Sequence, residues 1–217
     1  MNRVLRKAHT YLGLAVSIQL LLWTVSGIYF AFNDIDDIRG SQYLVDQPTR
    51  AFTIDQPQQF PSAKQLSYFY RLEQLLVSVE TDSGTEIYQP DGSAAEPLSS
   101  AQAKMLVAKR TSLMPVEVSR ITEAEVGAEY RGRDLPLYRV SARDAEDLVN
   151  VYVDPRSGAI VAIRSDAWRI WDLLWGLHIM DWKARDDFGN VFIRFFSILA
   201  LISALSGILL YFKMRRR

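Results

Sequence analysis

The chain has no cysteine among its 217 residues, which excludes disulfides, thiolate metal sites and cysteine nucleophiles. Any folded part is therefore held by its core alone, whatever the redox compartment. Histidine is nearly absent: His9 and His178 are the only two, so any imidazole chemistry has to use them. Net charge is absent as well, since 25 Lys plus Arg are matched by 25 Asp plus Glu. No overall field points to an acidic substrate, and no nucleic-acid partner is expected. The chain contains no Gly-rich phosphate loop, no Gly-x-Ser-x-Gly elbow and no His-Glu-x-x-His zinc motif, so the commonest hydrolytic and phosphate chemistries have no place in it. Asp36-Asp37 and Asp186-Asp187 lack neighbours suited to acid–base work and read as solvated charge. Glu123–Glu129 reads as an exposed loop.

Two stretches carry no charge at all. Residues 1–10 are basic through Arg3, Arg6 and Lys7. Residues 11–32 then run uncharged for about 33 Å as a helix, which suits a bilayer core. Asn33-Asp34 follows where a signal-peptide cleavage site would need small residues, so an uncleaved anchor is expected. Residues 191–212 form the second expected span, uncharged from Phe195 to Phe212, and residues 213–217 are a basic tail. Basic clusters outside both spans place both termini in the cytoplasm and everything between them on the far side. In a bacterial inner membrane that side is the periplasm. The lipid bilayer is thus the first expected partner.

The spans echo each other: Ser26-Gly27-Ile28 and Phe32 correspond to Ser206-Gly207-Ile208 and Phe212. Gly13, Ser17, Thr24 and Gly27, facing Ala200, Ser203 and Gly207, could make a close-packed seam, or could simply reflect the abundance of small residues in membrane helices. Gln19, Ser17, Thr24 and Ser203 are expected to bond along or between helices.

Between the spans, residues 33–60 lack clear periodicity and read as a linker, and residues 61–165 as a small α+β domain with one helix on an antiparallel sheet. Ser62–Glu73 predicts a short helix. Leu75–Glu80 and Glu86–Gln89 alternate around Asp82-Ser83-Gly84 as a hairpin, and Pro90–Ser93 is a turn. Ser99 or Ser100 caps a helix to about Arg110 that would bury Met105, Leu106 and Ala108. Strands are expected at Val116–Ile121, Leu135–Ala142, Leu148–Val153 and Ala159–Ile163, the last two joined by a tight Asp154–Gly158 turn. One carboxylate there, Asp154, is far short of a calcium site. A degenerate copy of the domain could precede these strands.

Residues 166–190 predict an interfacial amphipathic helix rich in tryptophan. Trp168, Trp171, Trp175, His178 and Trp182 are spaced 3, 4, 3 and 4 and share one helical face. Such a stripe beside a span is what an interface anchor looks like. From the residues alone, His178 is either a ligand or one more amphipathic member of that belt.

Leu98-Ser99 before Gln102-Ala103, then Leu137–Val140 and the run Val151–Ile160, resemble a PepSY domain ending in its hairpin. Leu5 with His9–Leu14, Leu177-His178 and Leu205-Ser206-Gly207 resemble the PepSY-associated transmembrane family. The fold class is then α+β, with two transmembrane helices flanking a periplasmic PepSY-like domain. The resemblance implies a redox or iron-acquisition system, because members include inner-membrane reductases of ferric siderophores that carry b-type haem on transmembrane histidines. It makes His9 and His178 the candidate cofactor-binding residues and ligands to haem iron. Members usually have four spans, and relatives are fused to reductase modules; this chain has neither. Topology also puts roughly 30 Å of bilayer between the two histidines, whereas axial nitrogens on one iron lie about 4 Å apart. Each histidine would therefore need its mate from a second copy or another membrane subunit, as in a twofold four-helix bundle. The alternative function is a non-enzymatic accessory, assembly or regulatory subunit of a larger membrane complex, for example a respiratory one, or a peptidase-restraining PepSY module, without a cofactor.

Overall fold

A computed structural model describes residues 3–54, 60 and 62–215, with the side chains of residues 3–10, 12, 206, 207, 209–211 and 213–215 outside that description. The chain divides into two compact units, Arg39–Asp166 and the pair of segments Met1–Ile38 and Ala167–Arg217. The architecture is mixed α+β with antiparallel sheets.

Arg39–Asp166 holds two sheets. Strands β1 (Gln65–Arg71), β2 (Gln74–Thr81) and β3 (Gly84–Tyr88) form a meander. The expected hairpin is present, with Thr81 paired to Gly84 across Asp82-Ser83. The helix predicted over Ser62–Glu73 is instead β1. Tyr68, Phe69 and Tyr70 favour a pleated surface, and Leu72 at φ 56° turns the chain straight back so that Arg71 pairs with Gln74. Phe52 lies against Tyr68 and Tyr70, and Phe60 against Tyr88, so part of the expected linker covers one face of this sheet.

Helix α3 (Ser100–Arg110) begins in a capping box: Ser99 Oγ accepts from Gln102 N–H, and Gln102 Oε1 accepts from Ser99 N–H. It buries Ala103, Leu106 and Val107; of the expected trio Leu106 is buried, whereas Met105 and Ala108 are exposed. The face was misjudged because Met105 and Ala108 are apolar yet face outward, so apolar character alone did not fix the helix rotation. Strands β4 (Met114–Ile121), β5 (Leu137–Asp144), β6 (Asp147–Val153) and β7 (Ile160–Arg164) form the second meander. In its register Val118, Val140, Val151 and Ile163 make one cross-strand row, and the helix packs on that face with Leu98 and Leu113.

The opposite face carries Leu137, Tyr152 and Ala162 and is covered by Tyr130. Glu129 corrects the reading of Glu123–Glu129 as a merely exposed loop. Its Oε2 accepts from Asn150 Nδ2 at 2.8 Å and from the Tyr152 hydroxyl at 2.9 Å, while its carbonyl accepts from Arg164 Nε. Burial, then the adjacent carboxylate, push the Tyr152 phenol far up. The domain is sealed by Arg71, which is 4% exposed and donates to the carbonyls of Arg156 and Glu96. Asp154 serves its own turn, accepting from the N–H of Arg156 and from Ser157 Oγ.

The other unit contains α1 (Arg3–Phe32), the single turn α2 (Ile35–Ile38), most of α4 (Asp166–Ile179) and α5 (Val191–Arg215). Gly13–Phe32 of α1 is long and apolar enough to cross a membrane. Among the described residues, α5 has a shorter apolar stretch, Val191–Leu205. Helix α5 packs on α1 and is capped by Asn190, whose Oδ1 accepts from Ile193 N–H at 3.0 Å.

Candidate functional site

The site grows from one face of α1. Val16, Gln19 and Ser26 are buried on it, with Trp23 and Phe30 half-buried; the spacing 3, 4, 3, 4 is one helical stripe. The small-residue seam expected from Gly13, Ser17 and Thr24 is not the packed face, because those three are exposed. Thr24 donates to the carbonyl of Leu20, four residues back. A Cβ added at Gly13 or Gly27 would meet nothing within 4 Å. Gly207 lies outside the described side chains.

Helix α4 lies antiparallel on this stripe. Near its start Trp171 meets Phe30 at 5.2 Å between ring centroids, and near its end His178 meets Trp23 at 6.3 Å. Trp171 and Trp175 stack at 5.2 Å and 14°, and Trp175 is parallel to the His178 ring within 4° at 6.5 Å. The tryptophan stripe therefore packs on α1 of the same chain. Trp182 leaves it. The helix ends at Ile179, Met180 takes φ 57°, and Asp181 N–H bonds the Gly176 carbonyl at 3.1 Å. That six-to-one bond is the Schellman closure, with methionine where glycine is usual. The sequence offered no glycine to mark the end, so the period ran on to Trp182, which is exposed beside Phe192.

His178 is joined to α1 twice. Its carbonyl accepts from Trp23 Nε1 at 2.7 Å, and its Nδ1 lies 2.7 Å from Ser26 Oγ. Ser26 Oγ is also 2.7 Å from the Leu22 carbonyl. A serine hydroxyl has one hydrogen, and two acceptors 2.7 Å apart without a hydrogen would repel, so Ser26 donates to Leu22 and His178 Nδ1–H donates to Ser26. The imidazole is then the Nδ1–H tautomer, with the lone pair on Nε2. Among the described residues Nε2 has no hydrogen bond. Burial lowers the His178 pKa, which favours the neutral ring.

The loop after α4 is tied under the same helix. Asp172 is 1% exposed and pairs with Arg185, whose stem crosses Gly176 so closely that a Cβ there would sit 3.0 Å from Arg185 Cγ. Asp181 accepts from the N–H groups of Asp187, Asp186 and Ala184, and these bonds, that from Asp187 first, lower its pKa. Gln19 Nε2, buried on the α1 stripe, has no hydrogen-bond partner among the described residues.

His9 lies in α1, and its side chain is outside the described residues. It stands seventeen residues before Ser26, about 26 Å along the helix, so it is not brought to His178 within the chain. Ser26, Trp23 and Phe30 are the site residues that sequence reasoning missed. The stripe Val16-Gln19-Trp23-Ser26-Phe30 was readable, but in a segment apolar all round its period carries little contrast. No three His, Cys, Asp or Glu converge among the described residues. What the site offers chemically is one oriented imidazole walled by aromatic rings. A haem brings its own four equatorial nitrogens and asks the protein for axial ligands, and this donor set fits one of them.

No curated protein and no solved structure matches the chain. A family model described as the PepSY-associated TM region matches residues 6–217, nearly the whole length. The chain belongs to the PepSY-associated TM region family.

Proposed function

We propose that this membrane protein is a two-span inner-membrane subunit of a redox or iron-acquisition system. In this reading both termini are cytoplasmic, the β-rich domain is periplasmic, and His178 would hold a b-type haem together with a second copy or another subunit. The observation that carries it is the bond from His178 Nδ1–H to Ser26. Metal-ligating histidines almost always donate their other ring N–H in this way, which fixes the ring and raises its basicity. When bound, the haem supplies a one-electron couple, serving transfer across the membrane to an acceptor such as a ferric chelate. Ser26 holds the tautomer, Trp23 holds the His178 backbone, and Phe30 and Trp175 wall the ring from water. The distance from His9 along α1 means that each histidine finds its mate on another chain.

The test is a pyridine haemochrome assay with absorbance spectra on protein purified from haem-replete cells. Wild type is expected to show a Soret and a reduced α band, and His178→Ala to lose them while keeping its elution volume. A wild type without haem overturns the reading. The second reading is an accessory or regulatory subunit without a cofactor. It is favoured by His178 spending both a ring nitrogen and its carbonyl on holding α4 to α1. A haem-free wild type that co-purifies with a larger membrane complex would establish it.

A further inference from the structure

The domain of residues 39–166 contains a cavity of about 480 Å³, within the range of small-molecule sites. Its floor is the face of the first sheet where Ser78 and Ile87 are register partners, with Phe69 and Thr85 beside them. Its walls include Arg110 at the end of α3 and Arg156 in the Asp154–Gly158 turn. A second cavity of about 240 Å³ shares Tyr70 and Arg110.

Arg110 is the group here that folding has not matched. It is half-buried, and its hydrogen bond is one from Nη2 to the Tyr70 carbonyl at 2.9 Å. Glu73, on the wall of the second cavity, is already held by Arg50 and Lys109. Asp154, on the wall of the first, is spent on its own turn. Among the described residues Arg110 forms no ion pair. Burial lowers its pKa and no carboxylate raises it back. A cation partly desolvated without a countercharge costs free energy that an anionic ligand would recover. The floor adds the hydroxyls of Ser78 and Thr85, which carry no hydrogen bond among the described residues, and the apolar surfaces of Phe69 and Ile87. Asp134 on the rim disfavours a second negative charge.

We propose that this cavity binds a small organic monocarboxylate, its carboxylate on the Arg110 guanidinium and its apolar body over Phe69 and Ile87. The proposal rests on this domain alone and does not depend on His178. It is tested on the full chain in lipid nanodiscs by ligand-observed NMR, with phenylacetate as probe and the isosteric, neutral phenylacetamide as its control. Phenylacetate is expected to bind, and the amide about tenfold more weakly or worse, the scale of a lost charge-assisted bond. Arg110→Gln should erase that preference, Arg110→Lys should keep part of it, and Arg120→Gln, an exposed arginine of β4, should leave it intact. Ile87→Trp, which fills the floor without touching Arg110, should abolish binding of both probes. Equal binding of acid and amide to wild type, no binding of phenylacetate at about 10 mM, or an undiminished preference in Arg110→Gln each overturns the proposal.

Discussion

Replacing Gly158 by alanine should loosen the joint between the two sheets far more than the backbone alone explains. Gly158 sits at φ +72°, and a Cβ there would lie 2.8 Å from Arg71 Cγ and 2.9 Å from Leu106 Cδ1. Leu106 is fully buried, and Arg71 is anchored to the carbonyls of Arg156 at 2.6 Å and Glu96 at 2.8 Å, so neither neighbour can withdraw cheaply. The left-handed backbone costs a non-glycine residue about 1 kcal/mol, and forcing a methyl into a packed core about 1–3 kcal/mol more. Gly132 is a matched control: it has the same φ of +72° and nothing within 4 Å of an added Cβ. Gly132→Ala should therefore show the backbone cost alone. Hydrogen exchange of β6 and β7 amides in the full chain reads local opening directly. About fivefold faster exchange is expected for Gly132→Ala and about a hundredfold for Gly158→Ala, at 1.4 kcal/mol per tenfold. Equal acceleration in the two variants would refute the packing argument.

Two further outcomes follow from ion pairs. Arg185→Met removes the cation paired with buried Asp172 and should destabilise the helical unit by about 2 kcal/mol, less than a fully buried pair because Arg185 is partly exposed. Trp23, Trp168, Trp171, Trp175 and Trp182 all lie in that unit, so tryptophan fluorescence during detergent-phase melting reports it, and an unchanged melting midpoint would count against the role given to Arg185. Glu73 is held at a pKa of about 2 by the hydrogen bonds from Arg50 and Lys109. A depressed folded-state carboxylate contributes stability that is present above its unfolded pKa of 4.5 and is lost as pH falls towards 2. Glu73→Gln should flatten the acid limb of the stability profile of the β-rich domain in that window, and the effect should shrink in high salt because the group is exposed. An acid limb of unchanged slope in the variant would argue against it.

What the sequence by itself determined was whatever a local rule dictates. The apolar run of α1, the Ser99 capping box, the Asp82-Ser83 hairpin and the Asp154–Gly158 turn each follow from a few adjacent residues. The strands of the second sheet were legible because alternation in a half-buried strand is visible without knowing the neighbour. The errors arose where the outcome turns on a contact or a backbone conformation that residue type does not signal. Strand β1 turns back onto β2 through Leu72 at positive φ, Glu129 is fixed by Asn150 and Tyr152 some twenty residues on, and α4 stops through a methionine in a glycine's conformation.

The same holds for the site. His178 was singled out by scarcity and by its stripe, yet nothing adjacent to it reveals Ser26 and Trp23, which lie 152 and 155 residues earlier. Only the packing of α4 on α1 brings Ser26 to the ring's Nδ1 and Trp23 to its carbonyl, because a hydrogen bond depends on atoms brought within about 3 Å and not on the order in which the chain supplies them.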